Sequence, residues 1–164
     1  MADDDNSAQN AQPSMALIGQ YIRDLSFESP GAPGSIMLGS GAPTFTINVD
    51  VDVRKQADEV YAVELKLGAK ADRDSNVLFA VELLYGGVFR IRNIVEPQLS
   101  QLLMIECPRL IFPFARQVLA NVTQQGGFPP VMIDPIDFGS VYMQKMQTLQ
   151  AAQANPAGNP SNVN

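Results

Sequence analysis

The 164-residue sequence predicts an α+β fold, a four-stranded antiparallel sheet with helices packed on one face. Three observations carry that reading. Two-residue alternation of apolar and polar side chains runs through TFTINVDVDV (44–53) and again through VYAVELKLGAK (60–70). Helical spacing replaces it after Gly86-Gly87. The ends, 1–14 and 150–164, hold a single Val and no other Ile, Leu, Val or aromatic residue, so both read as disordered tails, the first acidic. Residues 15–149 are then one domain with enough chain for a sizeable core.

The first strand is placed at 20–28, with Tyr21, Leu25 and Phe27 on one face and Asp24, Ser26 and Glu28 on the other. SPGAPGS (29–35) and GSGAP (39–43) bracket Ile36, Met37 and Leu38 as a long irregular crossover. In the second strand, 44–53, Phe45, Ile47, Val49, Val51 and Val53 face inward. In the third, 60–70, Tyr61, Val63, Leu65 and Leu67 face inward and Glu64 and Lys66 outward. ADRDS (71–75) is a turn, and 76–85 is the fourth strand. Val77, Phe79, Val81, Leu83 and Tyr85 line one face of it, while Leu78, Ala80 and Leu84 surround Glu82 on the other. Apolar character on both faces suggests contact on both sides.

Pro97 suits the first turn of a helix that carries Leu99, Leu102, Leu103 and Glu106, and Pro108 is expected to end it. A second helix is expected from about Leu110 to Gln125, with Gly126 as its stop. GFPPVMIDPI (127–136) is a Pro-rich apolar loop. Asp137 reads as the N-cap of a last helix, whose Phe138, Val141, Tyr142, Met146 and Leu149 form one stripe.

Composition excludes several chemistries. There is no His, hence no imidazole base, nucleophilic dyad or imidazole metal ligand. Cys107 is the single Cys, so no intrachain disulfide and no Cys-cluster zinc site exists, which fits a reducing compartment. The N-terminus lacks the basic and apolar regions of a signal peptide, and no stretch of 18 apolar residues is present. Net charge is −6, with 14 acidic against 11 basic residues outside the Asp3–Asp5 run. Such a chain is a poor nucleic-acid binder.

The motifs with chemical content are few. Asp72-x-Asp74-x-Asn76 opens like a calcium loop but has Val77 where Gly is needed and Leu83 where Glu is needed, so a plain turn is expected. Gly39-Ser-Gly41 precedes a strand instead of a phosphate-binding helix. Asp50 and Asp52 share a face, as a carboxylate pair or simply a solvated surface. Cys107 reads as a small core residue. No cofactor is implied.

The outward sheet face says more. Asp24, Glu28, Asp50, Asp52, Glu64 and Glu82 lie there on parity, opposed only by Lys66 and Lys70. An acidic face with an apolar patch at Leu78, Ala80 and Leu84 suits a basic partner, and is also what an ordinary wet sheet face looks like. The apolar loops, with Met37, Leu38, Phe128, Val131, Met132 and Ile133, either cap the core or form an adaptable binding surface.

Four stretches resemble the SecB family of bacterial protein-export chaperones. They are Tyr21-Ile-Arg-Asp-Leu-Ser-Phe-Glu28, Glu82-x-x-x-Gly-Gly-Val-Phe89, Cys107-Pro-Arg-Leu-Ile-Phe-Pro-Phe-Ala-Arg116 and Gly127-Phe-Pro-Pro-Val-Met-Ile-Asp-Pro-Ile-Asp-Phe138, in the family's order and spacing. The similarity spans about 16–146. It implies a non-enzymatic, nucleotide-independent cytoplasmic holdase. Such a protein keeps preproteins unfolded and delivers them to the translocation ATPase SecA. It implies a homotetramer, a dimer of dimers joined through helices, with no membrane insertion.

The same resemblance implies site residues. SecA docking maps onto Asp24, Glu28, Ala80 and Glu82. Tetramer-determining positions map onto Val81, Leu83 and Tyr85. Phe112, Phe114, Phe128, Met132, Phe138 and Tyr142 are the candidates to line a client groove. Tyr85 stands where a polar residue is familiar, and the C-terminal tail lacks the usual acidic residues. Two other classes stay open: a SecB-like chaperone dedicated to an antitoxin, and a His-free enzyme using Asp50, Asp52 or Glu82.

Overall fold

A computed structural model of the chain describes residues 11–37 and 41–155. Strands β1 (Ser14–Glu28), β2 (Thr44–Ala57), β3 (Val60–Arg73) and β4 (Asn76–Arg92) form one antiparallel sheet in the order β1-β4-β3-β2. A helical turn α1 (Gly34–Met37) lies in the crossover. After the sheet come α2 (Gln98–Gln101), a π-helical turn (Leu102–Glu106), α3 (Cys107–Gln125) and α4 (Phe138–Ala154). The α+β expectation holds. Gly39 and Leu38 of the crossover, and most of the two expected tails, lie outside the described residues.

All four strands outrun their predicted ends. β1 begins at Ser14, paired with Arg92, so the boundary expected at residue 15 falls inside a strand. β4 continues through Gly86-Gly87, where the sequence reading turned to helix. The glycines are there for close approach, not for a break. A Cβ on Gly86 would overlap the Tyr21 ring, and one on Gly87 would lie 2.8 Å from Phe89 and 3.0 Å from Ile111.

β1 carries two bulges, at Ile18 and Arg23, each adding one residue against β4. Each reverses the alternation. Tyr21 pairs with Gly86 on the outer face, Leu25 and Phe27 pair with Leu83 and Val81 on the helix side, and Asp24, Ser26 and Glu28 face outward. Tyr21 is therefore on the opposite face from that expected. A third irregularity, at Leu78 in β4, turns that side chain into the interior, where it is 6% exposed and leaves the expected outer patch.

The core lies between the sheet and α3. Leu65, Leu67, Val81, Leu83 and Phe89 meet Ile111, Ala115 and Leu119. Pro108 does not end a helix. Cys107 N–H donates to Leu102 C=O, five residues back, and this wider turn accommodates a residue with no N–H. Gly126 is the C-cap as expected, but its φ is −73°, and the positive φ (90°) belongs to Gly127. What Gly126 supplies is room, because a Cβ there would overlap the Phe27 ring. Asp137 caps α4 through Ser140 N–H (3.3 Å) and Oγ (2.6 Å). α4 runs to Ala154, five residues into the expected tail.

Candidate functional site: two surfaces on opposite sides of the sheet

The first surface is the outer sheet face. Its register forms rows across all four strands: Asp24–Leu84–Lys66–Asp50, Tyr21–Gly86–Glu64–Asp52, and Glu28–Ala80–Lys70–Thr46. Asp24, Glu28 and Glu82 are exposed and Ala80 half-buried, so the four docking candidates share this face. Asp50 is engaged elsewhere. Its Oδ1 accepts from Lys145 of α4 (3.2 Å) and from the Val51 N–H (2.9 Å), and Lys145 also reaches the Val51 carbonyl. This covers backbone groups on the free edge of β2.

Glu64 differs most from expectation. It sits on the outer face but is buried, 3% exposed, beneath three donors. Tyr21 Oη donates at 3.0 Å, Arg23 Nη1 reaches both carboxylate oxygens (3.0 and 2.8 Å), and Arg54 Nη2 lies 2.5 Å from Oε2. Burial opposes ionisation, yet these donors together hold the Glu64 carboxyl below its ordinary value. Burial and the neighbouring carboxylate push the Tyr21 hydroxyl up. Arg23 and Arg54 therefore add two cations to a face expected to carry only Lys66 and Lys70. Arg23 arrives through the bulge, and Arg54 lies one residue past the predicted end of its strand. Neither had a local sequence signal.

The second surface is on the helix side at the β2 edge. A cavity of about 530 Å³ is lined by Phe45, Ile47 and the loop Pro130–Asp134. Phe45 is 51% exposed and Met132 58%. Deeper in, Phe79 meets Phe128 (ring centroids 4.8 Å), Phe27 (5.8 Å) and Phe45 (6.4 Å). Two bonds pin the loop. Buried Thr123 Oγ1 accepts the Val131 N–H (3.0 Å), and Arg116 donates to the Ile133 carbonyl (3.2 Å).

The six groove candidates separate. Met132 lines the cavity; Phe128 is not part of its lining but packs on Phe79, which in turn meets Phe45. Phe114 is exposed on α3, and Tyr142 is half-buried on α4. Phe112 and Phe138 are buried core residues in edge contact (5.9 Å), outside the lining of this cavity, and α4 begins by burying Phe138 against α3. Phe45 and Ile47 also line this cavity. Strand alternation assigned them to the core, and only the exposure of an edge strand distinguishes them. Val81 and Leu83 (each 1% exposed) and Tyr85 (9%) lie inside a single chain and present no free surface to a second copy. Tyr85 Oη donates to Gln20 Oε1 at 3.2 Å.

Among known proteins, residues 8–149 match the family described as "Preprotein translocase subunit SecB". The chain belongs to the SecB family. It is 51% identical over 147 residues to the "Protein-export protein SecB" of Mesorhizobium japonicum, covering 90% of this chain and 88% of that one. It is 48% identical to that of Xanthobacter autotrophicus, covering 85% and 89%. Among solved structures it superposes on a SecB-like chaperone of Mycobacterium tuberculosis, in complex with a peptide from an antitoxin, with a TM-score of 0.62. That match covers 74% of this chain and 90% of the other at 10% identity, so it speaks to the fold alone. SecB is a chaperone family of protein export. None of the described helices is long and apolar enough to cross a membrane.

Proposed function

We propose that this SecB chain is an ATP-independent cytoplasmic holdase that keeps preproteins unfolded and hands them to SecA. The observation that carries the SecA step is the register of β1 and β4, which sets Asp24, Glu28 and Glu82 on one exposed outer face. Complementary charge at such a face chiefly raises the on-rate and selects the partner. The client surface is the helix-side cavity and its surroundings, with Phe45, Ile47, Phe128 and Met132 as contacts and Phe114 and Tyr142 as flanking ones. Each client segment buries apolar area at about 25 cal/mol per Å². Single segments therefore bind modestly, and several grooves on one particle give avidity. Binding the unfolded chain and not the native one shifts folding by mass action.

We place the protein as a homotetramer, a dimer of dimers with helices between dimers. Exposed Leu17, Ile18 and Ile22 along the free edge of β1 support one contact, and exposed Leu110 on α3 supports another. Val81, Leu83 and Tyr85 act on assembly through the residues packed over them. Four copies carry a formal charge of −24, four times −6. The antitoxin-dedicated alternative has only a fold likeness behind it.

The deciding experiment dilutes a chemically unfolded, slow-folding preprotein into the purified protein without ATP, with particle mass read by light scattering. Arrested refolding by a four-chain particle is expected. No arrest and no complex from a folded sample overturns the reading. Charge reversal at Asp24 and Glu28 to Lys is expected to weaken SecA binding and spare client binding.

A further inference from the structure

We infer that Glu64 is a positioning residue for the docking face: it holds the Arg23 bulge of β1, and that bulge turns Asp24 and Glu28 outward. The inference rests on the docking reading above.

The phase of β1 makes the argument. Tyr21 faces outward opposite Gly86. Strict alternation from Tyr21 would send residues 24, 26 and 28 to the helix side, burying two carboxylates under α3 and the loop. The extra residue at Arg23 cancels that, and Asp24, Ser26 and Glu28 emerge outward opposite Leu84, Glu82 and Ala80. A bulge forfeits local ladder bonds, so something must favour it over the unbulged register.

Glu64 supplies that preference. Both residues flanking the phase change on the outer face, Tyr21 and Arg23, end on its carboxylate at 2.8–3.0 Å. Glu64 stands on β3, one strand beyond β1's own neighbour. The reach is possible because Gly86 lies between Tyr21 and Glu64 in the row and offers no side chain in the way. Arg54 anchors the same carboxylate from β2, so both edge strands are tied to one buried acid. Glu64 itself is too buried to touch a partner.

The test uses the full-length protein, titrated with SecA and separately with an unfolded client. The variants are D24K/E28K, Glu64→Gln and Tyr21→Phe, the last keeping the ring over Gly86 and removing one bond to Glu64. Amide exchange is read at residues 22–25. Expected for Glu64→Gln is a loss of SecA affinity of about five- to tenfold, with client affinity unchanged and faster exchange confined to 22–25. Tyr21→Phe should follow in the same direction by a smaller factor, and it carries the test if Glu64→Gln does not fold. If D24K/E28K weakens SecA binding while both other variants stay within twofold of the parent, the inference is overturned and the docking reading stands. If D24K/E28K leaves SecA binding intact, the docking reading fails first. Equal loss of client and SecA binding in Glu64→Gln, or exchange raised throughout the sheet, makes Glu64 a general stability residue and also overturns the inference.

Discussion

Thr123→Val tests how the 127–136 loop is held. The Thr123 side chain is fully buried near the end of α3. Its hydroxyl donates to the Leu119 carbonyl (2.9 Å) and accepts the Val131 N–H (3.0 Å). Valine has the same shape, so no cavity opens, and the helix propensities of the two residues are close. What changes is that a buried amide loses its acceptor, at a cost of about 1–3 kcal/mol. The added methyl returns about 0.8 kcal/mol, leaving a net loss of about 0.2–2.2 kcal/mol. With a urea m-value of about 2 kcal/mol/M, the unfolding midpoint should fall by about 0.1–1.1 M at unchanged slope. Protein concentration must be matched, since assembly contributes to stability. Exchange of the Val131 amide should accelerate. A midpoint no lower than that of the parent, with Val131 equally protected, would mean that burial of Val131 and Ile133 alone holds the loop, and the argument from the hydroxyl would fail.

Three further outcomes are expected. Glu64 has its pKa lowered from 4.5 on folding, so its contribution to stability is complete above that value and is lost as pH falls through the folded value. The stability gap between the parent and Glu64→Gln should therefore shrink on acidification below about pH 4.5, and a gap independent of pH would contradict the ion-pair account. Gly126→Ala places a methyl in the Phe27 ring at a φ of −73° that alanine accepts, so the whole penalty is steric, about 1–3 kcal/mol by thermal or urea unfolding; unchanged stability would show that the ring yields freely. Cys107 is buried, and burial followed by the Glu106 charge pushes its thiol up to about 12. Iodoacetamide at pH 8 should label it in denaturant and leave the native protein unmodified, a result that rapid native labelling would refute.

Much of the architecture was legible because it rests on periodicity. β2 and β3 follow from alternation in 44–53 and 60–70, and the α4 cap follows from Asp137. The misses share one cause: a local signal whose meaning is set by a distant residue. Gly86-Gly87 reads as a break until the Tyr21 ring and Ile111 are seen to need the space. Pro108 reads as a helix stop until the π turn before it is known. A bulge has no signature in the seven letters around Arg23, so the facing of Tyr21 was misread although that of Asp24 and Glu28 was right. Glu64 sits at a wet-face position in its strand, and it is the crossing of Tyr21, Arg23 and Arg54 that buries it. Composition also could not separate the buried Phe112 and Phe138, which pack α3 against α4, from Phe45 and Met132, which stay exposed.

The strand order also carries a consequence for biosynthesis. β1, the first strand made, pairs only with β4, and Ser14 meets Arg92, 78 residues later in the chain. At about 5–20 residues per second, β1 leaves the ribosome roughly 4–16 s before its partner is complete. During that interval Leu17, Ile18, Ile22 and Leu25 are a naked apolar ribbon with an unpaired backbone, and the chain must close a long loop before its sheet exists. On the holdase reading proposed above, the protein is itself, for some seconds, a chain in the state of the clients it would hold, and its own unfinished copies are among the first substrates that finished copies would meet.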